Sequence, residues 1–439
     1  MRIHKRLTKM KYTRILLQIF MIGCLATGFL SSCGDDDPDT PAARAKRTVL
    51  IYMCAENNLS SLQYYDSIEI VRGAANLPDN VNLIVFADRT SKSIKPYIAR
   101  VDKDGMHIVK SYNEDFYCID KEKMSEIINW TFTKYPADSY AMAFWGHGNG
   151  WVMAHEKNTV NAKRKAYGYD SGVDNPDGGD GNNKFIDIPE LADALSKVPH
   201  LDYIFFDCCQ MMCAEVTYEL RNVCDYIIGS PAEIPGRGAP YEYVVPNFFL
   251  AKDNVGKAIV DDYIKNTDFS LYDVDGLPLS VVKTSNMENL LAVTQNAIDT
   301  VMVHYLYPNN LPVYDVINYG KNAAAGNNPI FYDLRNVMRK YLSKDDFDTW
   351  DKVFQQTVVY SVHPKDARAT GMQDWMSQEL TLSNFRKFLM TDEYYGGLSM
   401  FIPQTYYSNA DSKDFLNLNV SIKSMQWNKG IDWTKFGWE

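Results

Sequence analysis

Between about residues 48 and 250 the chain alternates short, unbroken apolar runs with stretches in which apolar positions recur every three to four residues. TVLIYM (48–53), NLIVFAD (82–88), SYAMAFWG (139–146), LDYIFFD (201–207) and DYIIGS (225–230) are short and largely continuous in apolar character. That is the signature of strands buried on both faces. The intervening periods predict helices from Asn58 to about Ala75, over 121–136, over 189–198 and over 211–223. Pro189-Glu190 makes a favourable first turn for the third of these. IKPYIARVDKDGMHIVKSY reads as a hairpin turning at Lys103-Asp104-Gly105. Strand and helix in alternation predict an α/β fold with a largely parallel sheet covered on both faces.

Beyond about residue 250 the rhythm changes. A helix near 255–264 leads to the strand PLSVVKTS (278–285). Helices are then predicted at about 287–305, 331–341 and 346–361, and GLSMFIPQ (397–404) reads as a late buried strand. The aromatic tail SIKSMQWNKGIDWTKFGWE is expected to pack back on the body. Residues 48–250 are therefore expected to form an α/β domain, with a polar insertion at about 152–184. Residues 251–439 form a mainly helical region packed on it.

The first 32 residues change the picture of location. Six Lys/Arg and no acid accompany the apolar run ILLQIFMIGCLATGFL, the layout of a secretory signal. Leu30-Ser31-Ser32-Cys33 resembles the bacterial lipobox, which makes Cys33 a lipidation site, and CGDDD resembles the export tag of Bacteroidetes surface lipoproteins. The competing reading is a plain signal-anchor helix. Residues 33–47 then serve as a polar tether, and the chain is expected on the outer membrane, facing the cell surface or the periplasm. Removing those six cations from the formal charge of −10 leaves −16, which argues against nucleic acid as a partner. Of eight cysteines in 439 residues, six lie beyond Cys33, too few for a disulfide scaffold.

Two predicted strands run straight into reactive residues, at AFWGHGNGW and IFFDCCQMMC. Ligand sites in parallel α/β sheets form outside the carboxyl ends of strands. His147 stands between glycines, where a peptide backbone can approach it closely. Taken alone, it is a hydrogen-bonded turn residue. Of the three clustered cysteines, Cys213 reads as core, on one helical face with Val216, Leu220 and Val223. Cys209 falls near the start of the helix predicted from Met211, where the dipole favours a thiolate. A histidine across the sheet top would complete a Cys–His dyad. The spacing CC-x₃-C does not suit zinc, and a vicinal Cys208–Cys209 disulfide would silence the nucleophile.

These motifs resemble the clostripain-like cysteine peptidases. WGHGNGW (145–151) is similar to their histidine motif, and Asp207-Cys208-Cys209-Gln210-Met211 with EVTYEL (215–220) to their cysteine block. IYMCAENNL, GSPAEIPGRGAPY, LSVVKTSNMENL and GLSMFIP add further likeness from about Thr48 onward. The resemblance implies a caspase-like three-layer sandwich and cleavage of peptide bonds after Arg or Lys. It implies that Cys209 attacks and His147 protonates the leaving amine, with the amides of Gly148 and Cys209 as oxyanion hole. Asp207 would read the charge at the bottom of the S1 pocket; the competing reading is a helix-capping carboxylate. Glu56, Asn57, Asn58 and Glu233 are candidates to line the cleft. Cys208 and Gln210 depart from the family pattern.

The resemblance also implies self-cleavage in the insertion, where Lys163-Arg164-Lys165 is the basic cluster. The product would be two chains that stay associated in a monomer. No cofactor is required. Asp170, Asp174, Asp177 and Asp180 are calcium candidates by ligand type, without the usual loop spacing, against a solvated-loop reading. Two other readings remain: a catalytically silent lipoprotein of peptidase fold binding peptides or glycans, and a thiol or metal protein built on the cysteines.

Overall fold

The computed structural model describes residues 44–91, 93–152, 166–172, 184–272, 276–302, 316–319, 321–322, 328–364, 391–408 and 418–436. They belong to one compact unit beginning at Arg44. Cys33, Lys163, Arg164, Lys165, Asp174, Asp177 and Asp180 lie outside the described residues.

Nine strands form one sheet. In chain order they are β1 (Ala45–Ala55), β2 (Val81–Arg89), β3 (Tyr97–Asp102), β4 (Gly105–Ser111), β5 (Ala137–Trp145), then, after a small ribbon of β6 (Tyr167–Asp170) and β7 (Lys184–Ile186), β8 (Leu201–Asp207), β9 (Cys224–Gly229), β10 (Leu279–Lys283) and β11 (Val358–Val362). The strand order is β11-β10-β9-β8-β5-β1-β2-β3-β4. The five central strands, β9 to β2, are parallel. The flanking pairs on each side are antiparallel.

The period-two alternation of each central strand divides its side chains between two cores. Val49, Ile51, Met53 and Ala55 of β1 face one, with Ala141, Ala143 and Trp145 of β5 and Phe205 of β8. Helices α1 (Ser60–Ala74) and α5 (Lys252–Asn266) cover that face through residues such as Ile70, Ile259 and Tyr263. Leu50, Tyr52 and Cys54 face the other core, with Phe144, Phe206 and Cys208. There α2 (Lys121–Lys134), α3 (Ile188–Ser196), α4 (Ala214–Glu219) and the C-terminal helices α6 (Met287–Ala297), α7 (Leu334–Tyr341) and α8 (Lys344–Thr357) form the layer. Each fully buried Leu, Ile or Phe contributes about 1.5–3 kcal/mol by leaving water, so two such cores hold the sheet from both sides. This is the three-layer sandwich expected from the sequence.

Four expectations are corrected. β1 begins at Ala45, so the end of the polar tether is already strand. The helix expected from Met211 begins at Ala214 and has six residues, with Cys213 at its N-cap. Met212 and Cys213 are held extended because Ser399 pairs with them, its amide reaching the Met212 carbonyl at 3.1 Å. Tertiary pairing there overrides helical periodicity. The helix expected to reach 361 ends at Thr357, and the chain continues as the edge strand β11. GLSMFIPQ is buried as expected, but only Ser399–Met400 is strand, paired with Tyr332–Asp333. Among the described residues no helix is long and apolar enough to cross a membrane.

Candidate active site

β5 and β8 are parallel neighbours, with Trp145 opposite Asp207. His147 and Cys209 each stand two residues further on, so they leave adjacent strand ends at the same level. A Cβ built on Gly148 would lie 2.6 Å from the Cys209 carbonyl oxygen, so only glycine lets the histidine loop lie this close to the cysteine turn. The amides of Gly148 and Cys209 donate to no backbone carbonyl among the described residues.

His147 is partly exposed and hydrogen-bonded, Nε2 lying 2.7 Å from Asn58 Oδ1. An amide oxygen only accepts, so Nε2 carries the proton and Nδ1 is the basic nitrogen. The ring packs edge-on against Tyr169, centroids 5.8 Å apart. Burial pulls the imidazole down to about 4, so at neutral pH it is uncharged.

Cys208 and Cys209 go separate ways. Cys208 is fully buried on the Phe206 face and donates its thiol hydrogen to the Phe144 carbonyl at 3.2 Å. Cys209 is partly exposed, and its sulfur accepts the Ile234 amide hydrogen at 3.4 Å. Both are free thiols. Desolvation pushes Cys209 up to about 12, helped by the charges of Glu233 and Asp207 and opposed by the Ile234 amide. The expected thiolate at a helix N-terminus is not found, since α4 begins five residues later. Thiol and imidazole are both neutral at rest. Gln210 holds the turn with φ of 60°, an uncommon conformation for a residue other than glycine. Its amide donates to the Ala232 carbonyl and its side chain to the Tyr319 carbonyl, tying the turn to the C-terminal region.

Asp207 caps no helix. It is 3% exposed, and both its oxygens lie 3.0 Å from the Ala239 amide nitrogen, with the Tyr263 hydroxyl 3.3 Å from Oδ1. Burial raises its carboxyl to about 6 against these donors. Gly238, at φ of +63°, is required beside it, because a Cβ there would fall 2.3 Å from Asp207 Oδ2. Sequence reasoning missed a second acid. Asp66 of α1 is buried and accepts the Trp145 indole hydrogen at 2.7 Å. Burial lifts it to about 9, with the charge of Asp207 adding to the effect. The one signal for it was an aspartate facing the sheet inside an amphipathic helix.

Of the other candidates, Asn58 is at the site and Glu233 is near enough to act on the Cys209 thiol. Asn57 is buried, bonding the Cys54 and Tyr169 carbonyls and holding the turn rather than lining the cleft. Glu56 points away from the cleft, into a buried group with Asp88 and Asp115. Asp170 belongs to the same region.

A sequence model of the clostripain family matches residues 51–436. Clostripain of Hathewaya histolytica is 24% identical in an alignment 225 residues long that covers 45% of this chain and 41% of that protein. The chain therefore spans less than half the length of that curated relative. A secreted C11 cysteine protease from Bacteroides thetaiotaomicron, solved in complex with an irreversible peptide inhibitor, is similar in structure, with a TM-score of 0.68 and 26% identity over 89% of this chain and 99% of that one. An inactive zymogen C11 protease from Parabacteroides distasonis has a TM-score of 0.66 and 24% identity, over 89% and 99% of the two chains, a likeness of fold.

Proposed function

The chain belongs to the clostripain family of cysteine peptidases, and from that premise we propose that it is a lipid-anchored endopeptidase cleaving after Arg or Lys through Cys209 and His147. The observation that carries the specificity is Asp207, a buried carboxylate held by amide and hydroxyl donors but by no cation among the described residues. A Lys or Arg side chain entering beside it gains a partner, whereas a neutral side chain leaves the charge uncompensated, a difference of about 3–5 kcal/mol.

The chemistry follows from the neutral pair. As the sulfur attacks the scissile carbonyl, the thiol proton passes to His147 Nδ1, and a C–S bond forms. The resulting oxyanion meets the amides of Gly148 and Cys209. The C–N bond then breaks, and the imidazolium returns its proton to the departing amine. Water attacks the acyl-enzyme, its proton going to His147, and the thiol re-forms as the acid leaves. Asn58 fixes the ring throughout. A substrate cation beside Asp207 also offsets one of the charges that holds the thiol protonated, so binding and activation are linked.

Cleavage at Lys163-Arg164-Lys165 and lipidation at Cys33 complete the reading. The natural partners are then peptides or proteins with Arg or Lys at the cleaved position, met at the outer membrane. Because the compact unit begins at Arg44, protein starting at Gly34 retains all of it. Incubated with Arg-, Lys- and neutral-ended fluorogenic peptides, that protein should hydrolyse the first two, and Cys209→Ala should hydrolyse none. Gels of the pair should show two fragments only with Cys209 present. Equal turnover by both proteins, or none by either with the thiol reduced, rejects the peptidase and leaves the silent peptide-binding lipoprotein.

A further inference from the structure

The segment that follows β9 touches both halves of the site. Ile234 gives its amide hydrogen to the Cys209 sulfur at 3.4 Å, and the Ala239 amide lies 3.0 Å from both oxygens of Asp207. Between them the chain makes a tight turn, closed by the Gly238 amide on the Pro235 carbonyl at 2.8 Å, with Gly236 and Arg237 at its tip. The turn is seated on both sides. A Cβ on Gly236 would lie 3.3 Å from Leu62 of α1, and one on Gly238 would lie 2.3 Å from Asp207 Oδ2. Arg237 is thereby held on the rim between the nucleophile and the buried carboxylate. It stands three residues from Ile234 and two from Ala239, so its Cα is within about 11 Å of the first and about 7 Å of the second.

The Arg237 side chain is exposed, and its guanidinium carbon lies 6.0 Å from the centre of the Tyr65 ring on α1. Packing over an aromatic face orients the guanidinium plane and leaves the N–H groups round its edge free. No carboxylate of the protein takes them, since among the described residues Arg237 makes neither an ion pair nor a hydrogen bond. The acids its charge reaches are already committed. Burial raises the Asp66 carboxyl to about 9 in spite of Arg237, so at neutral pH it is protonated and supplies no counter-charge. Burial also raises the Glu69 carboxyl, which accepts the Tyr241 amide hydrogen at 3.1 Å.

We propose that Arg237 is a specificity-determining residue that takes an acidic side chain of the substrate at a position flanking the cleaved Arg or Lys. This rests on the peptidase reading above, in which Asp207 takes the basic side chain itself. Neighbouring substrate residues are only about 3.8 Å apart along the chain, so those beside the cleaved position pass within reach of the rim. The guanidinium fork matches a carboxylate in two parallel hydrogen bonds. On a chain of formal charge −10, an unpaired cation at the mouth of the site is also a local attraction for an acidic segment that the rest of the surface repels.

The test uses internally quenched peptides with a single Arg and Gln on either side of it. In each further peptide Glu replaces one Gln, at one of the two positions before or the two after the Arg. The quantity read is kcat/KM for the Glu peptide over that for the Gln peptide, a ratio that cancels any general loss of activity in a variant. With wild type at low salt the ratio should reach about 5 at one of these positions, and it should shrink as salt is added. Arg237→Gln should bring it to about 1, Arg237→Glu should push it below that, and Arg237→Lys, which keeps the charge without the fork, should retain part of it. Hydrolysis of the Gln peptide with no preference for Glu at any position, or a preference equal in wild type, Arg237→Gln and Arg237→Glu, overturns the subsite alone. No hydrolysis of any peptide by wild type with its thiol reduced rejects the peptidase reading, and the subsite with it.

Discussion

At the carboxyl edge of the sheet, the face under α1 and α5 and the face under α2 both bury acids, and the two groups are furnished differently. Asp207 has an amide and a hydroxyl on its oxygens, and Asp66 has the Trp145 indole. Asp88 has no donor on either oxygen, and burial with the charge of Asp170 raises the Glu56 carboxyl to about 9. Donors supplied by the protein stabilise an anion while leaving room for a partner that comes and goes, as a substrate side chain does. Acids without such a set of donors are pushed toward the neutral form by burial and by one another. The same alternation that sorts apolar side chains between two cores thus sorts carboxylates between the two faces of the sheet. The residues leading into the cysteine turn follow the rule too, with Cys208 sent to one side and Asp207 to the other.

The largest test of this contrast is Asp207→Asn. It should cut kcat/KM on Arg- and Lys-ended peptides by roughly 10²–10³-fold. An unaltered kcat/KM would detach Asp207 from recognition of the substrate's charge. The same variant carries a stability signature. Folding raises the Asp207 carboxyl from 3.8 to about 6, so its burial is harmless below the unfolded value and increasingly costly as pH rises through the folded one. Wild type and Asp207→Asn should therefore melt together near pH 4, and the variant should gain at neutral pH, by up to about 3 kcal/mol. A variant less stable than wild type at pH 7 would show the aspartate to be structural.

A smaller effect is expected from Asn58→Ala, which removes the acceptor on His147 Nε2. A loss of about 10-fold in kcat with little change in KM is expected if Asn58 orients the ring. An unaltered kcat would detach it from catalysis.

The strand runs, the hairpin and the strand ends that carry His147 and Cys209 were legible because apolar runs and a turn sequence are local signals. Cys209 stood out against Cys208 through family likeness and an expected helix N-terminus that lies five residues further on, and the structure supplies a different physical reason in the separate environments of the two thiols. Three things were not legible. The Met211–Cys213 segment looked helical, but its pairing with Ser399 comes from 186 residues away in sequence or more. Asp66 stands in a helix whose partners Trp145 and Asp207 lie far along the chain. Asp88 was visible as the end of NLIVFAD, yet its meaning depends on Glu56, Asp115 and Asp170 meeting it in space.

The most direct measurement of the central claim is covalent labelling of the protein starting at Gly34 with peptidyl chloromethyl ketones ending in arginine or norleucine, followed by intact mass and peptide mapping. A single adduct is predicted, on Cys209, formed much faster with the arginine reagent and slowed toward the norleucine rate in Asp207→Asn. Equal rates for the two reagents, or label on another cysteine, would contradict the assignment of Cys209 as nucleophile beside a charge-reading Asp207.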